Sequence, residues 1–519
     1  MCYTVYRDFT ISKIQYTEDF PMRKHILSLL LAAILLASSL AGCGNGDSTT
    51  TNDNSGTNTD TTATVDTTPA ETETTREQIE DNLPEKDYGG QTFTLFTRVK
   101  YEDSFMPEEL TGEGVNDALY QRNATVSDRF NVKMQYVSQV CEWGAESTKW
   151  NETLVNGVMA GDKAYDLVAG YASTIPEVVT KGILLDWNTV PYIDMSRPWW
   201  SEQVKDVFTI NGKMFLTTGD YSLALWDNMF AFLFNKQVAE DHDVGDLYAM
   251  VREGKWTMDK LQELCSLCVV DLNGDGKYDA SDKYGLVSNW STAIDTFQTA
   301  CDMQIVSKTD SGSLALTINS ERAMTILEKV VKLYNESHGA YSYNEGGDLT
   351  TYNTMFSENR ALFYPQYFEA TTALRDMETD FGVLPYPKLD EAQKTYISTS
   401  RDNFDLFVLP VDVPDIEFSG LITEALSAES YRRVIPQYYD VVLKVKNSRD
   451  EESAEMIDLI RDTLSFDLGY LCSTSLNGVG HIFVGLVREG KTDLVSKYTS
   501  IEPKAQTKLD DMLAAYGIE

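Results

Sequence analysis

Residues 164–187 read AYDLVAGYASTIPEVVTKGILLDW, and the first ten of them contain a short apolar run of the length of a strand. A helical pattern around residues 152–159 precedes this run. Working outward, GGQTFTLFTR (89–98) alternates apolar and polar residues after a Gly-Gly turn, and ISTSRDNFDLFVLP (397–410) has an apolar run near residues 404–409. Short strands that alternate with helices predict an α/β architecture.

Two amphipathic helices are predicted in the second half of the chain. In residues 320–339 one face is apolar, and Gly339 predicts the end of the helix. In residues 502–517 apolar residues recur at the helical spacing, and Pro503 predicts a helix that begins there. The predicted buried faces are Ala323, Ile326, Leu327, Val330 and Tyr334 in the first helix, and Leu509, Met512, Leu513 and Tyr516 in the second.

The N-terminal part predicts export and a lipid anchor. After Met22-Arg23-Lys24 comes HILSLLLAAILLASSLAGC (25–43), an apolar run that is short for a membrane span and ends in small residues, which is typical of a signal peptide. The ending Leu40-Ala41-Gly42-Cys43 resembles the lipobox of bacterial lipoproteins, which implies that Cys43 is acylated (palmitate) and begins the mature chain. Residues 1–21 have no part in this signal, so Met22 is the predicted start of translation. The alternative is an ordinary signal peptide with a chance cysteine.

Residues 44–75 are almost all Thr, Asn, Asp, Gly and Ser. Such a segment cannot bury enough apolar surface to offset its ordering entropy, so we expect a disordered tether on the order of 30 Å long. The predicted location is extracytoplasmic and lipid-anchored, with the outer face of a Gram-positive membrane favoured. The chain carries 43 Lys and Arg against 80 Asp and Glu, a formal charge of −37, which disfavours nucleic acid and anionic lipid as partners.

A twelve-residue loop, DLNGDGKYDASD (271–282), has the spacing of loops that wrap Ca²⁺. It is similar to the calcium loops of dockerin modules, and Gly276 stands at the sharp turn. The alternative is an acidic turn without a metal. The predicted role of Ca²⁺ is structural, and the predicted oxygen ligands are Asp271, Asn273, Asp275, the Lys277 carbonyl, Asp279 through a water, and Asp282.

The folded part holds five cysteines, an odd number without the density of a disulfide framework. The pair Cys265 and Cys268 falls on a predicted amphipathic helix, and no second pair or nearby histidine supports a zinc site. We therefore expect these cysteines to be buried as small apolar residues.

The order of five loose motifs resembles the extracellular solute-binding proteins of ABC importers, in the carbohydrate-type group called family 1. The resemblance covers nearly all of residues 88–519. Phe234 departs mildly from the family pattern, which has Tyr there. The motifs are AYDLVAGYASTIPEVVTKGILLDW (164–187), INGKMFLTTGDYSLALWDNMFAFLFNKQV (210–238), GKWTMDKL (254–261), FSENRALFYPQYFEA (356–370) and DFGVLPYPKLDEAQ (380–393).

The resemblance implies a two-lobed, periplasmic-binding-protein-like clamp, in which strand hinges join two α/β lobes around a ligand. It implies capture of a small ligand, a sugar or oligosaccharide first, and delivery to an ABC permease by a monomer. The predicted organisation is an upstream segment (1–21), signal peptide (22–42), tether (43–76), first lobe (77–218), second lobe with the calcium loop (219–400), return to the first lobe (401–450) and C-terminal helices (451–519).

The resemblance also implies that ligand contacts lie in loops after the lobe strands, where sugar recognition would use aromatic faces and planar polar groups. Trp226, Tyr221 and Tyr367 are favoured among them. For each one the alternative is a packing role within a lobe. The predicted contacts are Arg98, Tyr171, Trp199, Asp220, Tyr221, Trp226, Tyr364, Tyr367 and Arg401, with Tyr101, Trp200, Gln366 and Asp402 beside them.

An enzyme is not predicted, because the chain has neither G-x-S-x-G nor H-E-x-x-H. His242, His338 and His481 follow no nucleophile or metal pattern. Two alternatives to a sugar receptor stay open: a surface adhesin that binds glycan without transport, and a peptide-binding receptor.

Overall fold

The computed structural model describes residues 75–518, except 290, 337–338, 343–348 and 448–449. The predicted signal peptide, the lipobox with Cys43 and nearly all of the tether lie outside the described residues. Residues Glu73–Glu519 form one compact unit. Within the described part of this unit, every helix is too short or too polar to cross a bilayer.

Strands β1, β2, β3 and β11 form one sheet, in the order β11-β3-β1-β2, when the strands are numbered along the chain. β1 pairs in parallel with β2 and β3, whereas β11 runs antiparallel to β3. The strands are β1 Gln91–Arg98, β2 Val132–Gln139, β3 Leu167–Tyr171, β4 Phe230–Asn235, β5 Tyr284–Val287, β6 Val306–Lys308, β7 Leu314–Leu316, β8 Ala340–Tyr341, β9 Ala361–Tyr367, β10 Phe381–Leu384 and β11 Asp405–Val408. The strands predicted at 89–98, in 164–173 and near 404–409 are therefore confirmed as β1, β3 and β11.

A second sheet has the order β10-β4-β9-β5-β8, and β6 and β7 form a separate hairpin. β4 is antiparallel to both of its neighbours, and β5 is parallel to both of its own. β4 reads FAFLFN and is buried at every residue. Continuous apolar strands of this kind need cover on both faces, which the helices supply.

The α-helices surround the two sheets and carry the predicted apolar faces inward. All five predicted residues of the 320–339 helix are buried, although a π-helical turn over Lys332–Glu336 follows the α-helix. The helices are α1 Glu102–Phe105, α2 Gly114–Phe130, α3 Ala145–Ala160, α4 Glu202–Phe208, α5 Ala224–Asp227, α6 Lys236–Asp241, α7 Leu247–Arg252, α8 Met258–Leu267, α9 Thr292–Ala300, α10 Glu321–Val331, α11 Leu349–Ser357, α12 Phe368–Thr371, α13 Ile416–Glu429, α14 Glu451–Asp462, α15 Leu468–Leu471, α16 Ile482–Glu489 and α17 Leu494–Ala515.

The predicted start of the last helix is wrong. α17 begins at Leu494, and Pro503 lies inside it. Leu494 and Tyr498 are buried, so their packing extends the helix past a residue that removes one backbone hydrogen bond at a cost of about 3 kcal/mol. Pro503 and Thr499 are exposed, and water can therefore reach the Thr499 carbonyl that Pro503 leaves without its N–H partner.

Two chain segments that run side by side join the sheets. Residues 217–229 lead toward the second sheet and residues 399–407 return to the first, with antiparallel bridges between Thr217 and Phe407 and between Met229 and Ser400. These paired crossings are the strand hinges that the sequence predicted, and they confirm the two-lobed α/β fold. The five cysteines of the folded part are free and buried, which confirms their predicted packing role.

Candidate functional site

The returning crossing places Arg401 between the two lobes. The Arg401 backbone N–H donates to the Asn228 carbonyl of the other crossing at 2.7 Å, which fixes the start of the side chain. The guanidinium carbon lies 5.2 Å from the centre of the Tyr367 ring, at the end of β9. Arg401 Nε is buried and has no hydrogen-bond partner. Several buried polar atoms of the described residues lack a partner, and the position of this one between the lobes, beside Tyr367, makes Arg401 a candidate binding position.

Acidic, aromatic and imidazole side chains from four parts of the chain surround Arg401. Asp402 and Arg401 both interact electrostatically with Tyr171 at the end of β3 and with Tyr470 of α15. The Tyr470 and His481 rings meet edge to face, with their centres 6.1 Å apart. We call this group the hinge cluster, and its members are Tyr171, Asp295, Tyr367, Arg401, Asp402, Tyr470 and His481.

Burial sets the protonation of two groups in the hinge cluster. Burial, together with the charge of Asp402, raises the pKa of Asp295 well above its ordinary value, although Arg488 and a hydrogen bond from Gln298 oppose the shift. Burial therefore favours the neutral carboxylic acid form of Asp295, which can donate a hydrogen bond. Burial lowers the pKa of His481, so its imidazole is neutral as well. Arg401 and Asp402 carry the opposite charges of the cluster.

Hydrogen bonds behind the hinge cluster hold its members in place. Gln298 Nε2 donates to Asp295 Oδ1 at 2.9 Å and to the Gly480 carbonyl at 3.3 Å, which ties α9 to the segment before His481. The Ser473 hydroxyl lies 3.1 Å from His481 Nδ1. Side chains positioned in this way keep a site in a fixed geometry.

Tyr364 is buried behind Tyr367. Its hydroxyl donates to Asn353 Oδ1 at 3.1 Å and accepts from Gln366 Nε2 at 2.8 Å. Gln366 Oε1 in turn accepts from the Tyr367 backbone N–H at 3.0 Å. Tyr364 and Gln366 therefore support the end of β9 on which Tyr367 stands.

Arg98 has the opposite surroundings from Arg401, although both were predicted as ligand contacts. Its Nε and Nη2 donate to Asp405 Oδ1 at 3.0 and 2.7 Å, and its Nη1 donates to Asn403 Oδ1 at 2.7 Å. Nη2 also reaches the carbonyls of Asn403 and Phe404. The rings of Tyr101 and Tyr171 lie 4.5 and 4.8 Å from its guanidinium carbon. Protein groups thus accept hydrogen bonds from all three side-chain nitrogens of Arg98. Arg98 therefore helps to hold β1 to β11.

Trp199 and Trp200 are buried around one carboxyl group. Their indole N–H groups donate to the two oxygens of Glu424 in α13, each at 3.0 Å. Burial raises the pKa of Glu424 to about 8, although these hydrogen bonds oppose the shift. The structure therefore gives both tryptophans partners within the first lobe.

Asp220, Tyr221 and Trp226 lie along the outgoing crossing and make other contacts than the hinge cluster does. Tyr221 is fully buried, with the Arg122 guanidinium 4.6 Å from its ring centre. The Trp226 indole donates to Asp220 Oδ1 at 3.3 Å. These two side chains line a cavity of about 470 Å³ that also contacts Arg461. The structure therefore separates the predicted contacts into the hinge cluster, this Trp226 cavity and fully packed positions.

Sequence reasoning did not select Asp295, Tyr470 and His481. Asp295 lies in TAIDTFQTA, where an acid amid small and apolar residues was the available signal. His481 was noted only as lacking a metal or nucleophile pattern. Their common location comes from α9 and the C-terminal segment folding against the crossings, and no local pattern encodes that.

The calcium-type loop is closed by its own side chains. Asp271 accepts from the backbone N–H groups of Gly274 and Gly276 at 2.7 and 2.9 Å. The buried Asp282 accepts from Leu272 and Asp279 at 2.9 and 3.0 Å. Among the described residues, no group of three or more His, Cys, Asp or Glu side chains is gathered around a point that could hold a metal. The predicted Ca²⁺ ligands also include the Asn273 amide oxygen and the Lys277 backbone carbonyl. Each carboxylate that accepts a backbone hydrogen bond keeps further lone pairs that a metal could use.

Comparisons with protein-family models and with curated protein sequences found no match. Solved structures do match. A cyclo/maltodextrin-binding protein complexed with maltotetraose is 14% identical, with a TM-score of 0.51 over 82% of this chain and 97% of that one. UspC of M. tuberculosis is 12% identical, with a TM-score of 0.53 over 80% of this chain and 100% of that one. The chain therefore shares the two-lobed fold of these proteins.

Proposed function

We propose that this protein captures a sugar or oligosaccharide between its lobes and delivers it to an ABC importer permease. The observation that carries the proposal is the buried, unpartnered Nε of Arg401 beside the Tyr367 ring, at the junction of the two lobes. A binding protein of the same fold, complexed with maltotetraose, supports the same ligand class. Tyr171 and Tyr470 are buried, so entry of a ligand requires the lobes to separate about the paired crossings.

The charges of the hinge cluster favour a neutral ligand. Arg401 and Asp402 offset each other, and burial favours the uncharged forms of Asp295 and His481, although the charge of Arg488 acts on both groups. A charged ligand would lose its hydration in this buried region, and that is costly. A sugar presents hydroxyl groups to Arg401 and Asp402 and apolar ring faces to the tyrosines.

A thermal-shift screen of the full chain against neutral mono- and oligosaccharides, polyols and peptides tests this proposal. A ligand at 100 times its Kd adds about 2.7 kcal/mol to the free energy of unfolding, which raises Tm by several degrees. We expect sugars to give the shift. A shift with peptides alone would favour the peptide receptor, and binding of polymers alone would favour the adhesin.

Two variants then decide which region binds the sugar. Arg401→Met should strongly reduce the thermal shift, whereas Trp226→Ala should keep it if the Trp226 cavity has no part in binding. Arg375→Met provides the control for the loss of an arginine, because Arg375 is exposed and belongs to the second lobe. Loss of binding in Trp226→Ala, with Arg401→Met unaffected, would move the site to the Trp226 cavity.

We also propose that the loop 271–282 binds Ca²⁺ as a structural ion, with Asp271, Asn273, Asp275, Lys277, Asp279 and Asp282 as donors. The loop has Gly276 at a φ of +77°, as a sharp turn at this position requires, and both ends are tied by the bridge between Val270 and Lys283. Titration of the full chain with Ca²⁺ should raise Tm. Asp275→Ala should remove that rise, whereas Asp310→Ala, in the exposed turn between β6 and β7, should keep it.

We further propose that the protein is a lipoprotein on the outer face of the cell membrane, with Cys43 acylated. The basic start, apolar run and lipobox of residues 22–43 support this. Labelling of cells with a palmitate analogue should mark the full chain, and Cys43→Ser should remove the label. A labelled Cys43→Ser protein would contradict this assignment.

A further inference from the structure

The C-terminal segment, residues 466–518, packs on the second lobe along its first half. A Cβ on Gly469 would lie 2.4 Å from Ile305 Cγ2, so the backbone of the segment lies directly against Ile305. Further along, Asn335 Nδ2 donates to the Val487 carbonyl at 2.9 Å, and α16 packs against α10. We call residues 466–518 the C-terminal strap. These contacts fix its first half to the second lobe.

The far end of the C-terminal strap reaches the first lobe. Asn211 Nδ2 donates to the carbonyl of Tyr516, the residue after α17, at 3.0 Å. The ring centres of Phe215 and Tyr516 lie 4.9 Å apart, and Tyr516 is buried. Asn211 and Phe215 belong to the first lobe, where the Met214 carbonyl between them accepts from the Trp187 N–H at 2.8 Å. The strap therefore connects the two lobes outside the paired crossings.

The boundary between α17 and the first lobe is incompletely packed. α17 lies along residues 175–181 of the first lobe, but a groove of about 450 Å³ remains between Val178 on that side and Lys508 and Met512 on α17. The interior of a lobe leaves few spaces larger than a water molecule, whereas boundaries between parts that move relative to each other are smaller and more polar. This boundary therefore has the character of a contact that can separate.

We propose that the C-terminal strap holds the lobes closed, and that its end at Tyr516 leaves the first lobe when the lobes separate. The strap also carries Tyr470 and His481 of the hinge cluster, so its movement with the second lobe would open the cluster. This inference deepens the proposed function and rests on it, because a strap of this kind regulates the access of a ligand to the hinge cluster.

The test measures the distance between the lobes without any ligand. The full chain receives Lys149→Cys on α3 of the first lobe and Ser266→Cys on α8 of the second lobe, and both positions are exposed. Cys2→Ser and Cys43→Ser complete the background, since the five remaining cysteines are buried. Pulsed EPR of spin labels on the two introduced cysteines then gives the distribution of distances between the lobes.

We expect one shorter distance to predominate in this labelled protein. Tyr516→Ala should raise the ratio of longer to shorter distances by about tenfold, because it removes the ring contact with Phe215. Asn211→Ala should raise the same ratio by about fivefold, the effect of losing one hydrogen bond. Asn211 is exposed, so this variant decides the question even if Tyr516→Ala does not fold.

Asn188→Ala is the matched control. Asn188 is also an exposed asparagine, but its amide donates to Asp186 Oδ1 and to the Gly212 carbonyl, at 2.9 and 3.1 Å, within the first lobe. The control should leave the ratio of distances unchanged. The same ratio in the labelled protein and in both strap variants would overturn the strap, and so would an equal rise in Asn188→Ala.

The outcome is independent of the sugar screen, because no sugar is present in the EPR measurement. A failure of the strap would leave the proposed capture of a sugar intact. A failure of every sugar to shift Tm would instead remove the proposed function, while the measured distances would still report whether the strap holds the lobes.

Discussion

Arg98 and Arg401 lie against the same returning crossing, and each guanidinium lies beside tyrosine rings, but their hydrogen bonding differs. Arg98 donates to Asp405, Asn403 and two backbone carbonyls. Arg401 has a buried Nε without any partner. A buried arginine whose donors are used stabilises the fold, whereas one that keeps an unused donor retains the capacity to bind a ligand.

This difference indicates a stabilising role for Arg98 and a candidate binding role for Arg401 in the hinge region. Arg98 and Asp405 connect β1 to β11 within the first lobe, and Ser222 Oγ adds a hydrogen bond to Asp405 Oδ2 at 2.8 Å. Arg401 stands between the lobes, beside Tyr367 of the second lobe. The Arg98–Asp405 ion pair lies within the first lobe, whereas Arg401, whose Nε lacks a hydrogen-bond partner, lies between the lobes, where we propose that the ligand binds.

The largest expected effect is the loss of the Arg98 ion pair. Arg98→Met would leave Asp405 buried with only Ser222 as a partner, and we expect the free energy of unfolding to fall by about 3–5 kcal/mol. Urea denaturation measures it. The double variant Arg98→Met/Asp405→Asn should recover part of the loss because it removes the unpaired charge. A loss no larger than that of Arg401→Met would break the comparison between the two arginines.

A second buried carboxyl group, that of Glu424, has no cationic partner and therefore contrasts with Asp405, which pairs with Arg98. Glu424 faces two indole N–H groups, and its pKa is raised by burial to about 8 from an ordinary value of 4.5. The unfolded chain therefore releases this proton before the folded chain does, so the contribution of Glu424 to stability falls as pH rises from about 4.5 to about 8.

Glu424→Gln should remove that part of the pH dependence, an effect of a few kcal/mol across the range. Parallel urea denaturation at pH 5 and pH 8 measures the difference between wild type and variant. The charge of the nearby Asp194 also raises the pKa of Glu424, so Asp194→Asn should reduce the same pH dependence by a smaller amount. An unchanged slope in Glu424→Gln would show that the carboxyl is already ionised in the folded protein.

Arg401→Met should affect binding more than folding. A hydrogen bond to a charged group contributes about 1.5–3 kcal/mol, so we expect the Kd of the captured sugar to rise by about 10- to 150-fold. The free energy of unfolding without ligand should fall less than in Arg98→Met, since Nε has no hydrogen-bond partner to lose, although the interactions of Arg401 with Asp402 and Tyr367 are removed. Calorimetric titration and urea denaturation of the same preparation give the two values. A destabilisation as large as that of Arg98→Met would assign Arg401 to the fold.

The smallest expected effect distinguishes the two tyrosines that stack on Arg98. The Tyr101 hydroxyl donates to the Asn403 carbonyl at 2.7 Å and accepts from Asn228 at 3.2 Å, so Tyr101→Phe should cost about 1 kcal/mol of stability. Tyr171→Phe should leave stability nearly unchanged and weaken sugar binding if its hydroxyl meets the ligand. Thermal unfolding and calorimetry compare the pair, and equal stability losses would remove the distinction.

The sequence anticipated much of the fold because apolar patterns are local. The strands β1, β3 and β11 and the buried face of the 320–339 helix follow from alternation and from 3.6-residue spacing. Pro503 misled the prediction of the last helix, since the packing of Leu494 and Tyr498 against the C-terminal region outweighs one lost hydrogen bond. A local signal such as Pro503 does not predict a helix boundary where tertiary packing offsets the cost of the lost hydrogen bond.

The candidate site was only partly predictable. Tyr171, Tyr367, Arg401 and Asp402 were selected because the resemblance places such residues after lobe strands, and these four meet in the hinge cluster. Asp295, Tyr470 and His481 join them from segments that carry no motif. Whether an arginine is satisfied depends on partners about 300 residues away in the chain, such as Asp405 for Arg98.

By itself the sequence determined the α/β class, the strands β1, β3 and β11, the buried cysteines and the composition of the predicted export signal and tether. It did so because these properties depend on composition and on short-range periodicity. Only the tertiary structure decided that the donors of Arg98 are used within the fold, whereas Arg401 keeps a buried Nε without a hydrogen-bond partner. That distinction depends on distances between side chains that are far apart in sequence. A buried polar atom without a hydrogen-bond partner costs free energy, and a ligand that bonds to it removes that cost.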